Sequence, residues 1–258
     1  MERRDWHAEP FRRMVVLGES TVQGGGWIAV AGERWADIVA RLINDCQAQP
    51  MEYINRGIGA NAISPRSPGY ESSAKPSALE RYRDDVIAQK PDLFLFCYGL
   101  NDMRAGMPVD EFIADARTIV RDVRESCEPL CVLTTVYYMT GWKSWAPFDC
   151  GSVELTERYN ATIAALANEE GCLLADIWDA EGQADWLINP DGVHANKVGN
   201  LLIAHRVFET LANHCSGIAS AVNERDRNTQ WTRDTSGARE RDGDPHNPWW
   251  EVGMRVEG

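Results

Sequence analysis

Close to its N-terminus the chain contains Val15-Val16-Leu17-Gly18-Glu19-Ser20-Thr21, and Gly24-Gly25-Gly26 follows. An apolar run of β-branched residues and leucine that ends at a glycine predicts a buried strand leading into a tight turn. The serine after this turn then lies where the carboxyl end of a strand meets the next helix, which is where open α/β sheets place their ligands. A hydroxyl at that position can act as a nucleophile if a base and an oxyanion site reach it.

Four further strand patterns follow the first, and helical patterns separate them. The predicted strands cover residues 14–17, 51–55, 93–98, 130–136 and 172–175, and the helical periods cover residues 33–46, 79–88, 109–124, 155–168 and 198–211. Strands that alternate with helices predict a parallel sheet with helices on both faces. The run at 93–98 is continuously apolar, as expected of a central parallel strand. We therefore predict an α/β protein, a flavodoxin-like three-layer α/β/α sandwich with a five-stranded parallel sheet.

Length, charge and cysteine content limit the classes of protein to consider. The chain has 258 residues, 44% of them hydrophobic, which suits one α/β domain with a tail. Its formal net charge of −13 disfavours nucleic acid and anionic membranes as partners. The polar N-terminus predicts no signal peptide, and no run is long enough to span a bilayer. Seven cysteines without a framework spacing indicate a reducing compartment, so we expect a cytoplasmic protein.

The composition of the chain changes at Ser216. Beyond it charged, Asn, Thr and Gly residues dominate, and the periodic apolar positions end. We divide the chain into an N-terminal extension, a main domain and a polar C-terminal tail, at residues 1–12, 13–215 and 216–258. This composition is typical of disorder, but Trp231, Trp249 and Trp250 suggest that parts of the tail dock on the domain or on a neighbouring subunit. The sequence leaves the oligomeric state open.

Polar side chains follow the ends of four predicted strands. Ser20 follows the first strand, a glycine-rich turn at 57–61 the second and Asn101 the third, while Asp191 and His194 follow the fifth after a loop. The carboxyl ends of parallel strands share one edge of a sheet, so these segments can converge. A serine, a histidine, a carboxylate, an asparagine amide and a glycine-rich turn together are what acyl transfer requires.

In sequence these segments resemble the four blocks of the SGNH hydrolases, also called GDSL esterases and lipases. The matching segments are, in chain order, Gly18-Glu19-Ser20, Asn55-Arg56-Gly57-Ile58-Gly59-Ala60-Asn61, Gly99-Leu100-Asn101-Asp102 and Asp191-Gly192-Val193-His194. Each block alone is a weak signal. Four blocks in order, each at a predicted strand end, are a strong one, and the resemblance covers residues 13–215.

The resemblance implies a role for each residue of a catalytic triad. Ser20 is the nucleophile, His194 is the base that takes its proton, and Asp191 orients the histidine and stabilises the imidazolium. The resemblance also implies that the protein uses no metal ion and no organic cofactor.

The resemblance further implies three donors to the oxyanion: the amide of Ser20, an amide of the second block and the side chain of Asn101. The usual oxyanion glycine of the second block aligns with Ala60, and Gly59 beside it is the alternative donor. Alanine serves there if its φ is negative and is strained if the site requires a positive φ. Glu19 replaces the usual aspartate of the first block, and we expect its extra methylene to change local packing rather than mechanism.

Two other features have a structural explanation beside a functional one. The aromatic residues of segment 137–148 either line an acyl or sugar pocket or pack their own loop onto the domain. Asp102 is expected to be a structural residue of a turn or helix start rather than a second catalytic acid.

We predict a carboxylic ester hydrolase that acts on small acyl esters, including acetyl groups on carbohydrates, through an acyl-enzyme. Lipase and thioesterase activities of the same family stay open as alternatives. A second hypothesis is a non-catalytic glycan-binding module on the same fold, using segment 137–148 and the tail, because Glu19 and Ala60 depart from the family pattern. The predicted partner is a small-molecule or carbohydrate ester, and neither nucleic acid nor a membrane.

Overall fold

Within the described residues, the sheet is built from five short strands, and all of them are parallel. A computed structural model of the protein describes residues 4–25 and 31–227. Its strands are β1 Arg13–Gly18, β2 Glu52–Gly57, β3 Leu93–Cys97, β4 Leu130–Thr134 and β5 Leu173–Ala175. They pair in the order β2-β1-β3-β4-β5. The predicted five-stranded parallel sheet is confirmed, and each strand lies close to its predicted position.

Helices cover both faces of this sheet. The helices of the described ranges are α1 Ser20–Gln23, α2 Trp35–Cys46, α3 Ala78–Asp85, α4 Leu100–Arg104, α5 Val109–Cys127, α6 Val153–Glu169, α7 Ile177–Glu181, α8 Lys197–His214 and α9 Ser220–Arg227. Helix α2 packs against α8, while α5 packs between α3 and α6 in a separate layer. This is the predicted three-layer α/β/α arrangement. In the part of the chain that the structure describes, no helix is both long and apolar enough to cross a membrane.

The central strands bring three chain segments to one edge of the sheet. Residues 14–18 of β1 and 93–97 of β3 are all buried, because helices cover both faces of these strands. Gly18 pairs with Gly57 on one side and with Cys97 on the other. The segments that leave β1, β2 and β3 therefore start level with one another at the carboxyl edge, where α/β sheets bind ligands.

The predicted loop at 176–190 contains structure of its own. It holds α7 and a 3₁₀ turn at Asp185–Leu187. Helix α7 has five residues, which is too short to show an apolar period. Its last residue, Glu181, is buried against α8, where a Cβ on Gly199 would lie 2.7 Å from Oε1. Neither carboxylate oxygen of Glu181 has a hydrogen-bond partner within residues 4–25 and 31–227.

The first residues after Ser216 are also folded. They form a 3₁₀ turn that leads into α9, and Gly217 and Ile218 are buried. The turn contacts α2 and α8, and the N-terminal segment covers Gly217, whose amide donates a hydrogen bond to the carbonyl of His7 at 3.1 Å. The predictions for the tryptophans of the tail and for its contact with a neighbouring subunit lie outside the described residues.

Candidate active site

The candidate nucleophile lies in the turn that joins β1 to α1. Ser20 is the first residue of α1 and is 5% exposed. The amides of Val22 and Gln23 donate to the carbonyl of Glu19 at 3.1 and 3.0 Å, which closes the turn. A Cβ on Gly18 would lie 2.3 Å from Cγ2 of Val22. The glycine is therefore required for the close approach of strand and helix at this point.

Ser20, His194 and Asp191 form one chain of hydrogen bonds. Oγ of Ser20 lies 2.8 Å from Nε2 of His194, and Nδ1 of His194 lies 2.8 Å from Oδ2 of Asp191. The other carboxylate oxygen of Asp191 accepts hydrogen bonds from the amides of Val193 and His194, at 2.8 and 2.9 Å. The loop between α7 and α8 thus holds the carboxylate in place through its own backbone.

The surroundings favour an ionised Asp191 and a neutral His194 at neutral pH. Burial opposes ionisation of Asp191, but hydrogen bonds from the amides of His194 and Val193 and from the imidazole outweigh it, so the pKa of this carboxyl lies below its ordinary value. Burial lowers the pKa of His194 below its ordinary value of 6.5, against the opposing effect of Asp191. A neutral imidazole next to an ionised carboxylate is the state in which histidine can accept a proton from serine.

Asn101 lies beside the nucleophile, near the start of α4. The chain leaves β3 through Gly99, whose φ of 122° favours glycine. The side-chain amide of Asn101 donates to the carbonyl of Asn61 at 3.0 Å, which orients the amide and leaves its second N–H available. Asn101 and Ser20 line the same cavity. This position fits a donor to an oxyanion that forms on a substrate bound at Ser20.

The second block contributes Gly59 and Ala60 to that cavity. Ala60 has a φ of +50°, so it adopts the left-handed conformation in which alanine is strained by about 1 kcal/mol. Its carbonyl accepts a hydrogen bond from the amide of Ala74 at 2.9 Å, which helps to hold this conformation. The assignment of the oxyanion amide to one of these two residues stays a prediction.

Glu19 connects the nucleophile turn to the segment of Asn101. Its Oε1 accepts hydrogen bonds from the amides of Gly99 and Asn101, at 3.1 and 3.3 Å. Burial raises the pKa of Glu19 well above its ordinary value, and the neighbouring Asp102 adds to the shift. Asp102 is itself fully buried, accepts from the amide of Ile63 and has its pKa raised to about 7 by burial. Both carboxyls bond to backbone amides, which is a structural role.

A cavity of about 490 Å³ opens beside the candidate triad. Besides the residues already described, it is lined by Gln23, Arg104, Ser144, Trp145, Phe148 and Val193. Trp145, which is 71% exposed, and Phe148 belong to this lining, whereas Tyr137 is buried and Tyr138 packs against Trp142. Some aromatic residues of segment 137–148 thus line the cavity and others pack their own loop onto the domain, while an acyl or sugar ligand for the cavity stays a prediction.

Two lining residues, Gln23 and Arg104, belong to no motif that the sequence offered. Gln23 follows Ser20 by three positions on α1, and Arg104 follows Asn101 by three positions on α4. Side chains three positions apart are neighbours on a helix surface. That spacing from a motif residue is the signal that identifies both as cavity residues.

Histidine and carboxylate side chains also bind metal ions, so a metal site has to be considered. Across residues 4–25 and 31–227, no group of three or more His, Cys, Asp or Glu side chains is arranged to hold a metal ion. The side chains of His194 and Asp191 are hydrogen-bonded to each other instead.

Comparison with known proteins connects the sequence to a family and to an esterase. The model of the GDSL-like Lipase/Acylhydrolase family matches residues 16–202, which is more than half of the chain. An acetylxylan esterase from Geobacillus stearothermophilus is 22% identical over 203 residues, which cover 72% of this chain and 84% of that protein.

Solved structures share the fold. A lipase/acylhydrolase from Enterococcus faecalis has a TM-score of 0.63 at 19% identity, covering 78% of this chain and 95% of that one. The acetylxylan esterase from Geobacillus stearothermophilus has a TM-score of 0.60 at 19% identity, covering 82% of this chain and 96% of that one. At these identities the structural similarity shows the fold alone.

Proposed function

The chain belongs to the GDSL-like Lipase/Acylhydrolase family, and on that premise we propose that it is a serine esterase that cleaves small acyl esters through an acyl-enzyme. Membership of the family makes it a hydrolase of the esterase or lipase type. One observation carries the serine mechanism: Ser20, His194 and Asp191 form an unbroken chain of hydrogen bonds beside a cavity large enough for a small ester.

In the first step, Oγ of Ser20 attacks the ester carbonyl while Nε2 of His194 takes the hydroxyl proton. The carbonyl oxygen becomes an oxyanion, which the amide of Ser20, an amide of Gly59 or Ala60 and the side chain of Asn101 stabilise. Each such donor is worth roughly 3–4 kcal/mol. His194 then passes its proton to the departing alkoxide, so that the alcohol leaves and Ser20 stays acylated.

In the second step, water replaces the alcohol. His194 takes a proton from the water as its oxygen attacks the acyl carbon, and the same proton then returns to Oγ of Ser20 when the carboxylic acid leaves. Throughout, Asp191 keeps the proton of the neutral histidine on Nδ1 and stabilises the imidazolium that forms in each step.

We propose acetyl esters of carbohydrates as the substrate class. The acetylxylan esterase relative, 22% identical to this chain, supports this choice. Trp145, exposed at the cavity, offers a broad apolar face outside the reaction centre, on which the ring of a sugar can pack. An acetyl group is small enough to enter beside Ser20 while the sugar that carries it contacts Trp145.

The first test replaces the nucleophile. We expect the protein to hydrolyse p-nitrophenyl acetate and an acetylated xylo-oligosaccharide, and Ser20→Ala to lose at least about a thousandfold in kcat because no acyl-enzyme can form. A fluorophosphonate probe should label the native protein and not the variant. Ser220→Ala, at the start of α9 and outside the lining of the cavity, is the control with the same change of side chain.

Labelling that survives in Ser20→Ala would show that Ser20 is not the nucleophile. If the protein turns over neither ester but binds the unmodified oligosaccharide, the second hypothesis, a non-catalytic glycan-binding module, is the better one. The strained backbone at Ala60 is the feature that favours this alternative, because it lies where the oxyanion amide is expected.

A further inference from the structure

Arg104 is a buried cation next to the reaction centre. Its side chain lines the cavity together with Ser20 and His194, and the residue is 5% exposed. Nη2 donates a hydrogen bond to Oγ of Ser144 at 2.7 Å, while the buried Nε has no hydrogen-bond partner in the described part of the chain. Ser144 thus fixes one nitrogen of the guanidinium, while other N–H groups of the same side chain have no hydrogen-bond acceptor among the described residues.

Within the described part of the chain, Arg104 forms no ion pair with a carboxylate. Within the residues that the structure describes, no Asp or Glu oxygen lies within 4 Å of Arg104, whereas the equally buried Arg81 has Asp85 at 2.5 Å. Of the carboxyls that act on Arg104 from farther away, Asp191 is hydrogen-bonded to His194, and Glu19 has its pKa raised well above its ordinary value by burial. Its described contacts, the hydroxyl of Ser144 and the ring of Phe148, carry no opposite charge. A buried charge that lacks a counterion is costly, so an anionic ligand in this cavity would stabilise it.

The guanidinium presents two donors in one plane, a geometry that matches a carboxylate. Arg104 is the one Lys or Arg among the described residues lining the cavity, and a phosphate dianion would require further cations. The buried ring of Phe148 is an apolar wall of the cavity and lies 5.8 Å from Cζ of Arg104, and an ion pair beside such a wall is screened less than one in open water. The chain as a whole is acidic, with a net charge of −13, so it does not attract anions at long range and the selectivity must come from this one contact.

Resting on the esterase function proposed above, we propose that Arg104 binds a carboxylate of the substrate, so that the preferred esters carry an anionic group within reach of the reaction centre. The carboxylate belongs either to the alcohol part or to the acyl part of the ester. An acidic sugar that bears an acetyl group is an example of the first case, and a half-ester of a dicarboxylic acid is an example of the second.

Paired esters test the proposal. The first arm compares 4-acetoxybenzoate with its methyl ester, and the second compares the mono-4-nitrophenyl ester of adipic acid with 4-nitrophenyl hexanoate. In each arm the measured quantity is kcat/KM for the charged ester divided by kcat/KM for the neutral ester. In at least one arm, we expect Arg104→Gln to lower this ratio at least about tenfold. Arg104→Lys should keep part of the ratio, because it keeps the charge but not the planar fork. Arg83→Gln, which removes a surface charge remote from the cavity, should leave the ratio unchanged.

Binding measurements separate this proposal from the esterase function. By titration calorimetry, 4-hydroxybenzoate or adipate should bind the native protein more tightly than methyl 4-hydroxybenzoate, and this difference should vanish in Arg104→Gln. If no ester is turned over but the difference is present, the esterase proposal fails and the anion site stands. If Arg104→Gln does not fold, the preference of the native protein and of Arg104→Lys for the charged ligand decides.

Two results would overturn the proposal. One is an equal ratio of charged to neutral esters in the native protein and in Arg104→Gln in both arms. The other is an effect of Arg104→Gln confined to the pH profile of kcat/KM, which would mean that Arg104 acts only on the neighbouring His194, whose pKa its charge lowers.

Discussion

The protonation state of His194 sets the pH dependence of the proposed reaction. Only the neutral imidazole can take the proton of Ser20, and burial lowers the pKa of His194 below 6.5. We therefore expect kcat/KM for p-nitrophenyl acetate to rise with pH and to level off below the ordinary histidine value. A series of measurements from about pH 4.5 to about pH 8.5 covers this rise.

Asp191→Asn provides the internal check on this profile. The Asp191 carboxylate raises the pKa of His194, so its removal should shift the rising limb to still lower pH and reduce the plateau. A flat profile for the native protein would exclude His194 as the base. A limb at the same pH in both proteins would mean that the titration belongs to another group.

The hydrogen bonds of Glu19 could not be predicted from its residue type. The sequence predicts that the extra methylene of this residue changes packing rather than mechanism, and the structure gives the substitution a definite contact. The longer side chain ends on two amides, those of Gly99 and Asn101. Which amides a buried carboxyl accepts from depends on the distance between two loops, and no spacing within the sequence encodes that distance.

The residues that line the cavity could be predicted from the sequence only in part. The four blocks predict that Ser20, Asn101, Asp191 and His194 converge, because parallel strands share a carboxyl edge, and the structure brings these residues together. Their catalytic roles stay predictions. The sequence patterns did not identify Arg104 as a cavity residue, because an arginine after a motif is most often a solvated surface residue. Only the packing of the neighbouring loop shows that its side chain is buried.

At the level of elements, the nucleophile turn depends on the close approach of β2 to α1. Gly57 ends β2, and a Cβ there would lie 2.1 Å from the backbone nitrogen of Gln23. Asn55 supports the same junction, since its amide donates to the carbonyl of Val22 at 2.7 Å. Backbone atoms cannot yield as the end of a flexible side chain can, so any side chain at position 57 must push α1 away from the strand.

We therefore expect Gly57→Ala to displace Ser20 from His194. It should lower kcat/KM for p-nitrophenyl acetate by at least about tenfold and destabilise the protein by about 1–3 kcal/mol, which denaturant unfolding measures. Gly182→Ala is the control, because its φ of +56° strains alanine although no atom of the described residues lies within 4 Å of the added Cβ. With its ψ of −167° this backbone conformation is nearly exclusive to glycine, so the change should cost about 1–3 kcal/mol of stability and leave catalysis intact. Equal catalytic losses in both variants would contradict this account of the turn.

The elements themselves differ in how well sequence patterns reveal them. The strands and the long helices α5, α6 and α8 have apolar periods that predict their positions within a few residues. Helix α7 is one turn long, and the turn after Ser216 is held by a hydrogen bond to the N-terminal segment. Short elements carry no period, and contacts between the two ends of a chain leave no local signal, so both were invisible in the sequence.

At the level of the whole molecule, buried carboxyls should tie stability to pH. Burial raises the pKa of Glu181 from its ordinary value of 4.5 to about 8, and that of Asp102 from 3.8 to about 7. Between the ordinary pKa of each carboxyl and its raised pKa, the folded protein holds a proton that the unfolded chain has released. Their contribution to stability is therefore complete below the ordinary values and is lost as the pH rises through about 7 to 8. Carboxyls with lowered pKa, such as Asp191, lose their contribution only in more acidic solution.

We expect the Tm of the native protein to fall between about pH 5 and about pH 8.5, and Glu181→Gln to reduce that fall by at least about 5 °C, because the amide has no proton to release. Calorimetry or circular dichroism gives both slopes. Glu157→Gln, an exposed change on α6, removes the same charge from the surface and should keep the native slope. Parallel slopes in the native protein and Glu181→Gln would show that Glu181 ionises in the folded state without cost.

The proposed serine and its base come from distant parts of the chain. Ser20 leaves β1 in the interior of the sheet, whereas His194 follows β5 at the edge, 174 positions later. Their 2.8 Å contact exists only after the intervening strands have taken their places, and closing so long a segment costs chain entropy. A partly folded chain with native-like helices would be catalytically silent. The proposed activity thus requires the complete fold. Newly made or damaged copies of the protein that are only partly folded would hydrolyse no ester.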